Sequence, residues 1–128
     1  MKQKTERRQQ DQGFSIKARI ASASFAFNGL VTMLIEQHNA RVHFVATLVV
    51  VALGMLTGLE SVEWIMVCLA ITMVWMAEAF NTALESLADA AVPETHPLIA
   101  KSKDVAAAGV LIAAVFSLVV AAWAFWPF

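Results

Sequence analysis

Four polar residues recur at intervals of three, four and four in the stretch EAFNTALESLADA (78–90): Glu78, Asn81, Glu85 and Asp89. On a helix turning ~100° per residue, those intervals gather all four side chains into an arc of roughly 80°. Carboxylates and an amide on one face are hard oxygen donors, suited to Mg²⁺, which keeps waters and substrate phosphates in its remaining positions. A carboxylate of such a set can also accept the proton of a hydroxyl. The segment that follows, PETHPLIAKSKD, adds Glu94, His96, Lys101, Lys103 and Asp104. Acids beside lysines can hold a cation and a polyphosphate together, and phosphoryl transfer needs mainly positioning, metal and charge neutralisation. Neither a GxxxxGK-S/T loop nor a kinase glycine-rich loop occurs, so a nucleotide site here belongs to neither class. Taken singly, each of these residues is more often a solvated helix extension or a cap. Four on one face, joined to a charged loop, carry the argument.

The element that presents them begins differently. WIMVCLAITMVWMA (64–77) precedes the stripe and contains no charge. Two more apolar runs flank it: VHFVATLVVVALGMLTGL (42–59), with His43 its one ionisable group, and VAAAGVLIAAVFSLVVAAWAFWPF (105–128). Runs of this length match a bilayer crossing at 1.5 Å per residue, and small residues early in the last run permit close helix approach. The chain of 128 residues is 59% hydrophobic and only 15% charged. An ordinary soluble domain is nearer a quarter charged, so the expected class is an all-α membrane protein. Trp64, Trp123 and Trp126 fall at span ends, where an interfacial aromatic belt belongs.

Residues 14–35 are mixed. Ile16, Ile20, Ala23, Phe27, Leu30, Val31 and Leu34 recur at helical spacing, with Lys17, Arg19, Ser22 and Asn28 between them. That pattern predicts an amphipathic helix lying in the interface over about 14–38. The spans are expected at about 42–59, 64–90 and 105–126, in one domain covering 14–128. Residues 1–13 read as a polar arm, and no apolar core or cleavage site follows them as in a signal peptide. A lone cysteine, Cys68, allows no disulfide within the chain, and the scattered histidines lack zinc spacing.

Lys2, Lys4, Arg7, Arg8, Lys17, Arg19 and Arg41 precede the first span, and Lys101 and Lys103 lie between the second and third. The connection between spans one and two holds Glu60 and Glu63 and no basic residue. The positive-inside rule then predicts a cytoplasmic N-terminus and 91–104 loop, with the C-terminus outside. Glu78 falls near the inner edge of the apolar region, and Asp89 about 16 Å further along the axis, in or near water. A carboxylate at that depth is costly and persists mainly for function or with a partner.

The pair EAFNTALESLAD and KSKDVAAAGVLIAA resembles the bacterial diacylglycerol kinase family of small integral-membrane lipid kinases, from about Arg19 to the end of the third span. NARVH (39–43) is similar to the N-x-R-x-H segment of its shorter branch, which includes undecaprenol kinases. The resemblance implies a homotrimer in the bacterial inner membrane that uses Mg-ATP to phosphorylate a lipid hydroxyl. The acceptor is diacylglycerol or undecaprenol, and no nucleic acid is involved. It implies that Glu78 is the general base, that Glu85 ligates the metal bridging the ATP phosphates, and that Asn81 supports the site. Asp89, Glu94, His96, Lys103 and Asp104 are implied at the nucleotide. Many members carry a second metal-ligating glutamate two positions before the Asn of N-x-R-x-H. This chain has Gln37 there, a weaker ligand, with Glu36 about 100° away round the helix. Arg41 and His43 divide evenly between binding lipid headgroups and joining the site. A rival reading is a small oligomeric transporter or channel with Glu78 as its coupling carboxylate. It prefers an acid at mid-bilayer, whereas this stripe runs out towards a lysine loop. A non-catalytic helix-bundle partner is the third reading.

Overall fold

The computed structural model describes residues 15–126. The polar arm expected at 1–13 lies outside the described residues. Four helices follow one another: α1 (Ile16–Glu36), α2 (His38–Thr57), α3 (Ser61–Ala91) and α4 (Pro97–Ala124). The described residues contain no strand. The chain forms two compact units, residues 1–31 and 32–128. The described part of the first is the N-terminal portion of α1, exposed along its whole length. The second contains the end of α1 and the whole of α2, α3 and α4.

Local chemistry sets each boundary. Gln37 adopts an extended backbone (φ −99°, ψ 120°) and breaks the helical run between α1 and α2. The break is laced by Arg41, whose guanidinium donates to the Ile35 carbonyl at 3.2 Å. Helix α2 ends at Gly58, at φ 73°, in the left-handed conformation that glycine adopts without a Cβ penalty. Its N–H returns to the Gly54 carbonyl at 3.1 Å. The two acids that follow, Glu60 and Glu63, form a reciprocal capping box at the start of α3. The Glu60 N–H donates to Glu63 Oε2 at 2.7 Å, and negative charge here also suits the helix dipole.

Helix α4 begins earlier than the sequence suggests. The third span was expected at about 105–126 after a loop over 91–104; within that loop Pro97 opens the helix, and His96 Nδ1 accepts the Leu98 N–H at 3.2 Å. Proline has a preset φ and no N–H to leave unpaired, so it suits a first helical position. Lys101, Lys103 and Asp104 therefore ride on the first two turns of α4, on a rigid rod rather than a flexible loop.

Helix α3 is the spine of the second unit. It packs extensively along α4 and less extensively against α2. The buried cluster is Val67 and Ala70 on α3 with Val120 and Ala124 on α4, surrounded by Val50, Leu59, Met66, Ile71, Phe116 and Phe125. Alanines at the contact bring the two helices close, and Ser117 Oγ reaches the Ala70 carbonyl at 3.4 Å. The rest of the apolar surface faces outward, with Phe80, Leu56, Met55 and Leu118 among the exposed side chains. So much exposed apolar area needs lipid or another subunit against it. All four helices are long and apolar enough to cross a membrane. Length and composition therefore leave α1 eligible as a span as well as a surface helix.

Candidate functional site

One stripe in sequence becomes two places in structure. Glu78 and Asn81 are buried on α3, Glu85 is half-buried, and Asp89 is exposed. The Glu78 side chain is only 1% exposed. Its Oε2 has no hydrogen-bond partner, and neither do Asn81 Oδ1 and Thr82 Oγ1 beside it. Buried polar atoms normally find partners, so three orphans on neighbouring turns mark a place organised for something other than packing. The group facing Glu78 comes from α2: His43 Nε2 lies 3.8 Å from Glu78 Oε2. That is close enough for electrostatic attraction when the imidazole is protonated, and too long for a hydrogen bond.

Beside this pair opens a cavity of about 310 Å³, lined by Asn39, Val42 and His43 of α2, Asn81 and Glu85 of α3, and apolar residues of α4 from Ala107 to Ala114. Asn81 Nδ2 donates to Glu85 Oε1 at 3.3 Å. The amide thus holds one carboxylate oxygen while its own Oδ1 stays available. No group of three His, Cys, Asp or Glu is placed to hold a metal among the described residues. A Mg²⁺ ion does not require one, because it commonly binds through one or two carboxylates plus waters and substrate phosphates. Glu85 on the cavity wall, with the buried, unpartnered Oδ1 of Asn81 one turn before it, fits that donor set. Gln37 does not line this cavity. The N-x-R-x-H segment supplies Asn39 and His43 instead, while Arg41 donates to the chain break.

A second hollow, about 230 Å³, lies where α3 ends and α4 begins. Asp89, Glu94, His96 and Lys103 line it together with Val92, Pro93, Thr95, Ile99 and Ala100. Lys103 is bound to Asp89 Oδ1, a bridge between the end of α3 and the second turn of α4. Four of the five outer residues expected at the nucleotide are therefore neighbours. Asp104 is exposed and outside this lining.

Sequence reasoning missed a further pair. Trp75 Nε1 donates to Thr47 Oγ1 at 3.1 Å, joining α3 to α2 across 28 positions. The available signal was Thr47 standing one turn after His43 and Trp75 one turn before Glu78.

Residues 24–125 match the family model described as prokaryotic diacylglycerol kinase. The undecaprenol kinase of Bacillus subtilis is 33% identical over 91 residues, covering 71% of this chain and 74% of that protein. A diacylglycerol kinase of Synechocystis is 32% identical over 102 residues, covering 79% of this chain but 58% of the relative. The diacylglycerol kinase of Escherichia coli is 26% identical over 100 residues, covering 78% and 82%. With the family model spanning most of the apolar helices and the polar stripe, this chain belongs to the prokaryotic diacylglycerol kinase family of membrane lipid kinases.

Proposed function

We propose that this protein is an ATP- and Mg²⁺-dependent kinase that transfers the γ-phosphoryl group to a lipid hydroxyl at the bacterial inner membrane. The observation that carries the reading is Glu78, a buried carboxylate with an unpartnered oxygen beside a cavity lined by Asn81 and Glu85. Glu78 takes the proton of the lipid hydroxyl, and the resulting oxygen attacks the γ-phosphorus. The bond to the β-phosphate oxygen breaks and ADP leaves. Glu85 and Asn81 are the residues that hold Mg²⁺, which when bound neutralises phosphate charge. Asp89, Glu94, His96 and Lys103 receive the outer part of the nucleotide, with Asp104 at their margin. His43 faces Glu78 and steadies its charge.

Undecaprenol, giving undecaprenyl phosphate, is the favoured acceptor, and diacylglycerol, giving phosphatidic acid, the second. The NARVH segment and the Bacillus subtilis relative support that order. The proposed assembly is a homotrimer whose exposed apolar faces meet neighbouring subunits and lipid. Helix α1 lies on the cytosolic surface, where Lys17 and Arg19 meet headgroups. The N-terminus and the 92–96 connection are cytoplasmic and the C-terminus is outside, following the distribution of Lys and Arg. The transporter reading loses its support with membership in a kinase family.

The test is ADP production in mixed micelles containing Mg²⁺ and ATP, with undecaprenol and diacylglycerol offered separately. Lipid-dependent turnover is the expected result. A folded protein that releases no ADP above background with either lipid contradicts the proposal.

A further inference from the structure

We infer that Thr47 and Trp75 are positioning residues that hold His43 against Glu78, an inference that rests on the kinase reading of that site. Their hydrogen bonds have a fixed direction. The Thr47 hydroxyl has one proton, and it goes to the His43 carbonyl at 2.8 Å. Its oxygen is then free to accept, and the Trp75 indole, which can only donate, supplies its N–H at 3.1 Å. The relay thus runs from α3 through Thr47 to the backbone of the residue that faces the candidate base.

The register makes this consequential. Helices α2 and α3 run antiparallel through the turn at 58–60. Thr47 lies four residues beyond His43 and Trp75 three before Glu78, so bridge and pair are adjacent rungs about 5–6 Å apart along the axis. Helix α3 is secured to α4 by the buried cluster, whereas its contact with α2 is slighter. A directional bond therefore carries more of the α2 register than it would in a well-packed interface. Both side chains are half-buried in a span, where water cannot replace the lost partner and an unpaired indole N–H is costly. Thr47 and His43 also share the wall of an apolar cavity of about 210 Å³ next to the polar one. Movement of α2 would displace the imidazole from Glu78 without touching Asn81 or Glu85, which stand on α3.

The experiment uses the full chain in micelles and has a kinetic and a spectroscopic arm. Thr47→Val keeps the shape and removes the hydroxyl, Trp75→Phe removes the donor from the other side, and Thr47→Ser restores the hydroxyl. Misplacement of a group near the reacting centre can cost about a hundredfold. Thr47→Val and Trp75→Phe are each expected to lower kcat about ten- to a hundredfold, with the KM for ATP altered by about twofold or less. Thr47→Ser returns most of the rate. In a His43→Ala background, Thr47→Val should cost almost nothing further, because the group it positions is gone. A loss of the same size in that background, or no rescue by serine, overturns the inference. In the spectroscopic arm, Thr47→Val and Trp75→Phe should both move the His43 ring resonances. Resonances that stay in place overturn the positioning role without reference to turnover. A wild-type chain that phosphorylates no lipid while the His43 resonances do move overturns the kinase reading instead.

Discussion

Replacing Glu78 with glutamine should move stability and activity in opposite directions. The side chain is 1% exposed, and one carboxylate oxygen lacks a hydrogen bond. An unsatisfied buried polar atom costs about 1–3 kcal/mol, and more when the group is charged. The nearest cationic candidate, His43 Nε2, is 3.8 Å away and offsets only part of that cost. Glutamine keeps the shape and discards the charge, so Glu78→Gln should be as stable as the parent or more stable by about 1 kcal/mol. Loss of a general base should meanwhile reduce kcat by about 10²–10⁴-fold, equivalent to roughly 3–5 kcal/mol of barrier. The paired assay is lipid phosphorylation alongside reversible denaturation in the same micelles. Two results would refute the reasoning: a kcat within about threefold of wild type, or a stability loss beyond about 2 kcal/mol, which would make Glu78 a structural residue.

Lys103→Ala removes a bridge between side chains that are 32% and 67% exposed. Such pairs contribute about 0–1 kcal/mol, so the melting curve should scarcely move while the KM for ATP rises, as read by steady-state kinetics. Gln37→Glu places a carboxylate at the chain break, off the cavity wall, so a Mg²⁺ titration of activity should keep its half-maximum. A half-maximum at lower metal concentration would bring position 37 into metal binding. Gly54→Val should destabilise by about 1–3 kcal/mol through overpacking, since a Cβ there would approach the Trp64 ring at 2.8 Å and Leu59 Cδ1 at 3.0 Å. Denaturation should show that loss, and the kcat of the folded fraction should stay the same, because Gly54 is at the end of α2 remote from Glu78.

The polar face of α3 was readable because helical spacing alone places Glu78, Asn81, Glu85 and Asp89 in one arc. Spacing also separated Glu78 from Asp89 along the axis, but the cavity beside Asn81 and Glu85 was not readable, since its walls depend on what α2 and α4 lay against them. The helical nature of the spans followed from apolar run length, but that run does not show that α4 extends back to Pro97. Charges at Lys101, Lys103 and Asp104 suggested a loop, while the His96–Pro97 cap, a purely local signal, set the true boundary. His43 was evenly balanced between roles because a histidine at a span's start suits headgroups as well as a site. Its neighbour across the interface, Glu78 at 3.8 Å, could not be read from spacing, and the Thr47–Trp75 bridge was invisible for the same reason: a contact between residues 28 apart leaves no periodic trace.

The most direct test of the central claim follows the phosphoryl group itself. The wild-type chain and Glu78→Gln are incubated in micelles with ATP labelled at the γ-phosphate, Mg²⁺ and undecaprenol or diacylglycerol, and the lipid fraction is extracted. The account predicts label in the lipid phosphate with wild type and almost none with Glu78→Gln. Lipid that stays unlabelled with folded wild type, or labels equally with both, would contradict it.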